Sequence, residues 1–158
     1  MKKYFKIIII TILLIMFDQV SKLLITNYFE VGDSLTIINN FFRIYYIKNT
    51  GAAFGIFMNN TFILIGITIL LLIYLISELK KNIDNKIIIF SLSLIISGAL
   101  GNLIDRIFRG YVVDFISFIL FNKEMAIFNI ADTFITIGVI ILLVHIFKEG
   151  KHERIGSK

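Results

Sequence analysis

Three aspartates, Asp105, Asp114 and Asp132, fall within the stretch 98–133, GALGNLIDRIFRGYVVDFISFILFNKEMAIFNIADT, of a very apolar chain. Asp114 in VVDF and Asp132 in NIAD are each flanked mostly by apolar residues. A carboxylate in such surroundings is costly to ionise, which marks a candidate functional site. Two carboxylates brought together can hydrolyse a peptide bond with no metal and no covalent intermediate. Like charges a few ångströms apart resist joint ionisation, so the pair holds one shared proton near neutral pH. One carboxylate takes a proton from the attacking water while the other donates to the developing oxyanion or the leaving nitrogen.

The elements that must position this pair are set by hydropathy. Of 158 residues, 58% are hydrophobic and 17% charged, and the mean hydropathy is +0.90. A soluble domain of this length would not be so apolar. Apolar runs at about 5–27, 61–78, 87–105 and 131–148 approach or reach the roughly 20 residues that a membrane-crossing helix needs. The chain reads as one membrane-embedded domain over 1–158 with a β-rich segment at about 29–60. Lys2, Lys3 and Lys6 precede an apolar run as in a signal peptide, but the run continues to about Tyr28 without a small-x-small cleavage site, so it reads as the first span. Within it Asp18 and Lys22 are four apart, share a helix face and can partly neutralise each other.

Between the first two spans, Glu30, Gly32, Asp33, Ser34, Asn39 and Asn40 are turn formers, while LTII and FFRIYYI are rich in β-branched and aromatic residues. This predicts a strand pair or small sheet ahead of NTGAAFG at 49–55. Its aromatic residues Phe41, Phe42, Tyr45, Tyr46, Phe54 and Phe57 could dip into the headgroup region. Ser97, Gly98, Ala99 and Gly101 in the third span would allow close helix approach. Ten of the sixteen Lys and Arg lie at the two termini and in the loop between the second and third spans. The positive-inside rule then puts both termini and that loop in the cytoplasm, and the three central aspartates and NTGAAFG on the outer side. Asp114 and Asp132 would meet there, one following the third span and one opening the fourth.

Other chemistries lack their parts. The chain has no cysteine, which excludes disulfides, thiolate metal sites and a cysteine nucleophile. His145 and His152 lie toward the opposite face from the polar motifs, so neither a metalloprotease nor a serine–histidine triad is served. The net charge of +5 is scattered around apolar spans, not gathered as a nucleic-acid surface would be. No GxGD sequence of a presenilin-type protease occurs. Two readings from other classes stay open: a small transporter, which the lack of an inverted repeat disfavours, and a non-catalytic binder of lipidated proteins, which needs no carboxylate pair.

Five blocks occur in order: DQVSK (18–22), NTGAAFG (49–55), GALGNLIDR (98–106), VVDF (112–115) and FNIAD (128–132). Together they resemble the motif blocks of the lipoprotein signal peptidase, or signal peptidase II, family. The resemblance implies an all-α polytopic four-transmembrane-helix bundle with a small extracytoplasmic β-cradle and a short surface helix. It implies a multi-pass aspartyl endopeptidase of the bacterial cytoplasmic membrane, acting near the outer face. Such an enzyme removes the signal peptide from diacylglyceryl-modified prolipoproteins just before the lipobox cysteine. Asp114 and Asp132 would be catalytic by motif position, and Asn49, Gly51, Asn102, Asp105, Arg106 and Asn129 would line the site. Asp18 and Lys22 match the first block, with a structural or a substrate-facing role. The expected partners are prolipoprotein substrates and membrane lipid; a monomer is expected, with no metal, cofactor or nucleic acid. Asn102 and Asn129 can donate hydrogen bonds to carboxylates without adding charge, and Arg106 could pair with Asp105 or bind substrate carbonyls.

Overall fold

The computed structural model describes residues 2–51, 60–121 and 123–156. Four helices, α1 (Lys2–Tyr28), α2 (Thr61–Lys81), α3 (Lys86–Arg109) and α4 (Ile130–Gly156), are each long and apolar enough to cross a membrane. Of the most apolar stretch of α3, 67% is buried inside the protein, against 11–22% in the other three. This makes α3 the central helix, and it packs against α1, α2 and α4. Ile8, Leu13, Leu70, Ile73 and Ile146 point outward from α1, α2 and α4, as surfaces covered by lipid would.

Local chemistry sets the limits of α3. The Asn85 side chain accepts from the backbone N–H groups of Ile87 (3.1 Å) and Ile88 (3.2 Å), which caps its first turn. Gly110, with φ at 79°, takes the left-handed turn that ends it. Along its length Ser91, Ser93 and Ser97 donate to the carbonyls of Ile87, Ile89 and Ser93, so their hydroxyls are satisfied within the helix. Their small volume lets the neighbouring helices close in. The closest approach is at Gly98, where a Cβ would fall on the carbonyl oxygen of Ala131 and lie 2.7 Å from Ile135 Cγ1.

A four-stranded antiparallel sheet covers one end of the bundle, in the order β1 (Ser34–Ile38), β2 (Phe42–Asn49), β3 (Val112–Leu120), β4 (Lys123–Glu124). Ile25 at the end of α1 packs with Tyr46, Val113 and Phe115, and this second small core clamps the sheet to the bundle. A bulge between Ile44 and Ile47 resets the register of β2 against β3, placing Ile47 opposite Asp114 and Asn49 opposite Val112.

Two points differ from the sequence expectation. The fold is not all-α, because residues 112–124 supply two strands that extend the expected pair. Helix α3 runs on to Arg109, past the expected end near 105, so Arg106 and Arg109 are helical. No short surface helix occurs among the described residues; Phe54, Phe57 and the rest of NTGAAFG beyond Gly51 lie outside them.

The glycine contacts give a paired prediction. Gly98→Leu forces α3 and α4 apart, with an expected cost at or above about 3 kcal/mol because the obstacle is backbone. Gly66→Ala on α2, where nothing lies within 4 Å, leaves stability unchanged or slightly raised. Thermal unfolding in detergent checks both, and equal melting temperatures for the two variants would contradict the close α3–α4 contact.

Candidate active site

Asp132 sits in the first turn of α4, and the sequence folds that turn by reciprocal capping. The Asn129 side-chain oxygen accepts from the Asp132 N–H at 2.9 Å, while Asp132 Oδ2 accepts from the Asn129 N–H at 3.2 Å. This is a capping box built from Asn and Asp. It leaves Asp132 Oδ1 free to accept from Asn102 Nδ2 at 2.8 Å. A carboxylate at the N-terminus of a helix is also favoured by the helix dipole.

Asp114 comes from β3 and is buried. Its Oδ1 accepts from Asn129 Nδ2 at 2.7 Å, and its Oδ2 accepts from Asn49 Nδ2 at 2.8 Å. Asn129 therefore touches both carboxylates. Burial foremost, and then the neighbouring Asp132 charge, push the Asp114 carboxyl up to about 7, against the pull of its two amide donors and of Lys22. At neutral pH this group is poised between its two protonation states. Asp132 is half-buried.

The supporting residues fall into two groups. Asn49 Oδ1 accepts from the Gly51 N–H at 2.9 Å, and Arg106 Nη2 donates to the Gly51 carbonyl at 3.1 Å. These bonds tie the end of β2 to the C-terminal half of α3, beside the carboxylates. The second group is fully buried: Lys22 Nζ lies 2.9 Å from Asp18 Oδ2, 3.0 Å from Asp105 Oδ2 and 2.9 Å from Asn102 Oδ1. Asn102 also accepts from Asn129 Nδ2 at 3.1 Å, which joins this cluster to the carboxylate pair.

All ten residues singled out from the sequence thus lie in one connected network, but of the two roles open to Arg106 the pairing with Asp105 does not form. Asp105 pairs with Lys22 and Arg109, and Arg106 turns to Gly51. On a helix, residues four apart share a face and adjacent ones do not. Gln19 and Arg109 were not anticipated. Gln19 Nε2 donates to Asp18 Oδ2 at 3.1 Å, to the Gly101 carbonyl at 3.1 Å and to Asp105 Oδ1 at 3.3 Å, and its Oε1 accepts from Arg109 at 3.3 Å. The available signals were the i, i+4 spacing of Asp105 and Arg109 and the N-x-x-D pattern of 129–132 ahead of an apolar run. His145 is engaged elsewhere, with Asn85 (2.9 Å) and Glu149 (3.2 Å).

Known proteins resemble this chain over most of its length. Residues 10–148 match the family model described as Signal peptidase (SPase) II. A lipoprotein signal peptidase of Clostridium tetani is 46% identical over 92% of this chain and 95% of its own length. Another, of Staphylococcus aureus, is 40% identical over 97% and 96%. A solved structure described as a bacterial membrane enzyme superposes with a TM-score of 0.85 at 38% identity, covering 93% of this chain and 90% of that one. A second so described gives 0.81 at 39% identity, covering 90% and 93%. Matched by these relatives almost end to end, the chain belongs to the signal peptidase II family.

Proposed function

We propose that this peptidase is an aspartyl endopeptidase whose catalytic dyad is Asp114 and Asp132. Its substrates are diacylglyceryl-modified bacterial prolipoproteins, cut just before the lipobox cysteine. The observation that carries the reading is Asn129, which donates to one carboxylate through its side chain and to the other through its backbone. Two carboxylates held so share one proton, as a general acid–base pair requires. The ionised member takes a proton from water as it attacks the scissile carbonyl, and the protonated member donates toward the oxyanion or the leaving amine. Asn49, Asn102 and Asn129 orient the carboxylates without adding charge, and Arg106 holds the Gly51 carbonyl beside them.

The distribution of Lys and Arg supports cytoplasmic termini and a site near the outer face. There the sheet serves as a cradle on a single membrane-embedded domain that acts as a monomer. A lipid-bearing substrate would present its cleavage site at that boundary, with its signal helix and acyl chains received by the apolar helix faces.

Cleavage of a diacylglyceryl-modified precursor by purified protein in detergent tests this. Asp114→Asn and Asp132→Asn keep the size of the side chain and remove its titrating proton, so each folded variant is expected to lose at least about a thousandfold in kcat. Cleavage by both variants at the wild-type rate would exclude the dyad.

The raised Asp114 carboxyl sets two pH dependences. A dyad that needs one proton loses activity as that proton leaves, so kcat/KM is expected to fall above about 7; a flat profile to pH 9 would contradict this. For stability, the native carboxyl holds its proton between the ordinary value of 3.8 and about 7, while the unfolded chain has released it. This contribution to stability is full below 3.8 and is lost as pH rises through about 7. Unfolding of Asp114→Asn should therefore show a shallower decline over that window than wild type.

A further inference from the structure

The buried cluster holds a regularity outside the dyad itself. Asp105 Oδ2 accepts the backbone N–H of Val113 at 3.2 Å, and Asp18 Oδ1 accepts the backbone N–H of Ala131 at 2.9 Å. Val113 immediately precedes Asp114, and Ala131 immediately precedes Asp132. Each of two buried carboxylates thus grips the main chain one residue before a dyad aspartate. A single ammonium, Lys22 Nζ, joins the two carboxylates at 2.9 and 3.0 Å. Its third bond, 2.9 Å to Asn102 Oδ1, fixes the amide whose nitrogen donates to Asp132. The three hydrogens of the ammonium find three acceptors, and all three routes lead to the dyad.

Room for this arrangement is built into α3. A Cβ at Gly101 would lie 2.5 Å from Asp18 Oδ2, so a side chain at 101 would displace the carboxylate. On the outer side Gln19 bridges Asp18 and Asp105, and Arg109 pairs with Asp105. Lys22 and Arg109 balance the two carboxylates in formal charge. A charged group with no side-chain exposure is strongly destabilising unless paired, and here every pairing also constrains β3 or the start of α4.

We propose that Asp18, Lys22 and Asp105 are positioning residues: a carboxylate–ammonium–carboxylate brace that sets the separation and aim of Asp114 and Asp132 through the backbone amides of Val113 and Ala131. The proposal rests on the reading of these two aspartates as the dyad. It assigns α1, which contributes no dyad residue, the task of holding both dyad elements in register. The charged groups around Asp114 are Asp132 from α4, Lys22 from α1 and Arg106 from α3, and Lys22 draws the Asp114 carboxyl down toward ionisation.

Two measurements test the brace. The first is amide hydrogen exchange by NMR on full-length wild type in micelles. Val113 and Ala131 are expected to exchange about a hundredfold or more slowly than open loop amides, as buried hydrogen-bonded groups do. Exchange at loop rates would overturn the brace while leaving the dyad reading intact. The second is the kinetics of Lys22→Met and of the charge-balanced pair Lys22→Met/Asp105→Asn on a diacylglyceryl-modified precursor. Misplacement of catalytic groups by an ångström costs on the order of a hundredfold, so kcat is expected to fall at least about tenfold with KM changed less than about twofold. The alkaline limb of the pH profile should move upward as the ammonium is removed. A folded variant with wild-type kcat and an unmoved limb would overturn the proposal, whereas full activity in Asp114→Asn and Asp132→Asn would overturn the dyad and leave the exchange result standing. Should neither Lys22 variant fold, the wild-type exchange rates decide.

Discussion

A charge placed inside an apolar bundle must find a partner, and that constraint governs this molecule. The Lys22 ammonium and the Asp18 and Asp105 carboxylates have no exposed side-chain surface, in a protein whose helices are otherwise faced for lipid. Their mutual attraction offsets the large desolvation cost only with good geometry and with every remaining donor and acceptor engaged. Among the described residues no buried side-chain nitrogen or oxygen lacks a hydrogen-bond partner. Meeting this condition brings α1, α3, the sheet and the start of α4 to a single point.

The candidate site is a seam between two kinds of structure. Asp132 belongs to a membrane-spanning helix and Asp114 to a strand of the sheet that covers it. Three asparagines bridge the seam, and their neutrality matters. A cation in the same position would pull the Asp114 carboxyl down and remove the balance that leaves it near neutrality. Burial and the Asp132 charge raise it, while amide donors temper the rise without reversing it.

Much of this was legible in the sequence, and the omissions have physical causes. The spans follow from hydropathy, and the carboxylates were conspicuous because their neighbours are apolar. Strand β3 was not legible: VVDFISFIL is buried on both faces near its start, so it lacks the alternation that marks a half-buried strand. A short apolar run of that kind cannot be told from the end of a helix by periodicity. The Asp105–Arg109 pairing depended on the continuation of α3 to Arg109, past the end near 105 that hydropathy suggests. Gly110, as a C-terminal stop with two arginines in the preceding turn, carried the missing signal. Gln19 had no signal at all, since a glutamine within an apolar helix reveals its partners only once the helices are packed.

The brace has a consequence for how such a chain enters a membrane. Asp18 and Lys22 lie on the earliest of the four spans, whereas their partners on other elements arrive much later: Asn102 lies 80 residues beyond Lys22 and Ala131 lies 113 beyond Asp18. Until then the Lys22 ammonium has only Asp18, and Asp18 has only Lys22 and the neutral amide of Gln19 beside it. Their i, i+4 spacing lets them form the 2.9 Å pair within one helix, so the segment can be inserted as a nearly neutral one. The same pair then waits in the bilayer as a strongly polar spot on an oily helix, a docking point that no lipid can satisfy. The order of synthesis thereby becomes an order of assembly, with α1 holding the place at which α4 must arrive.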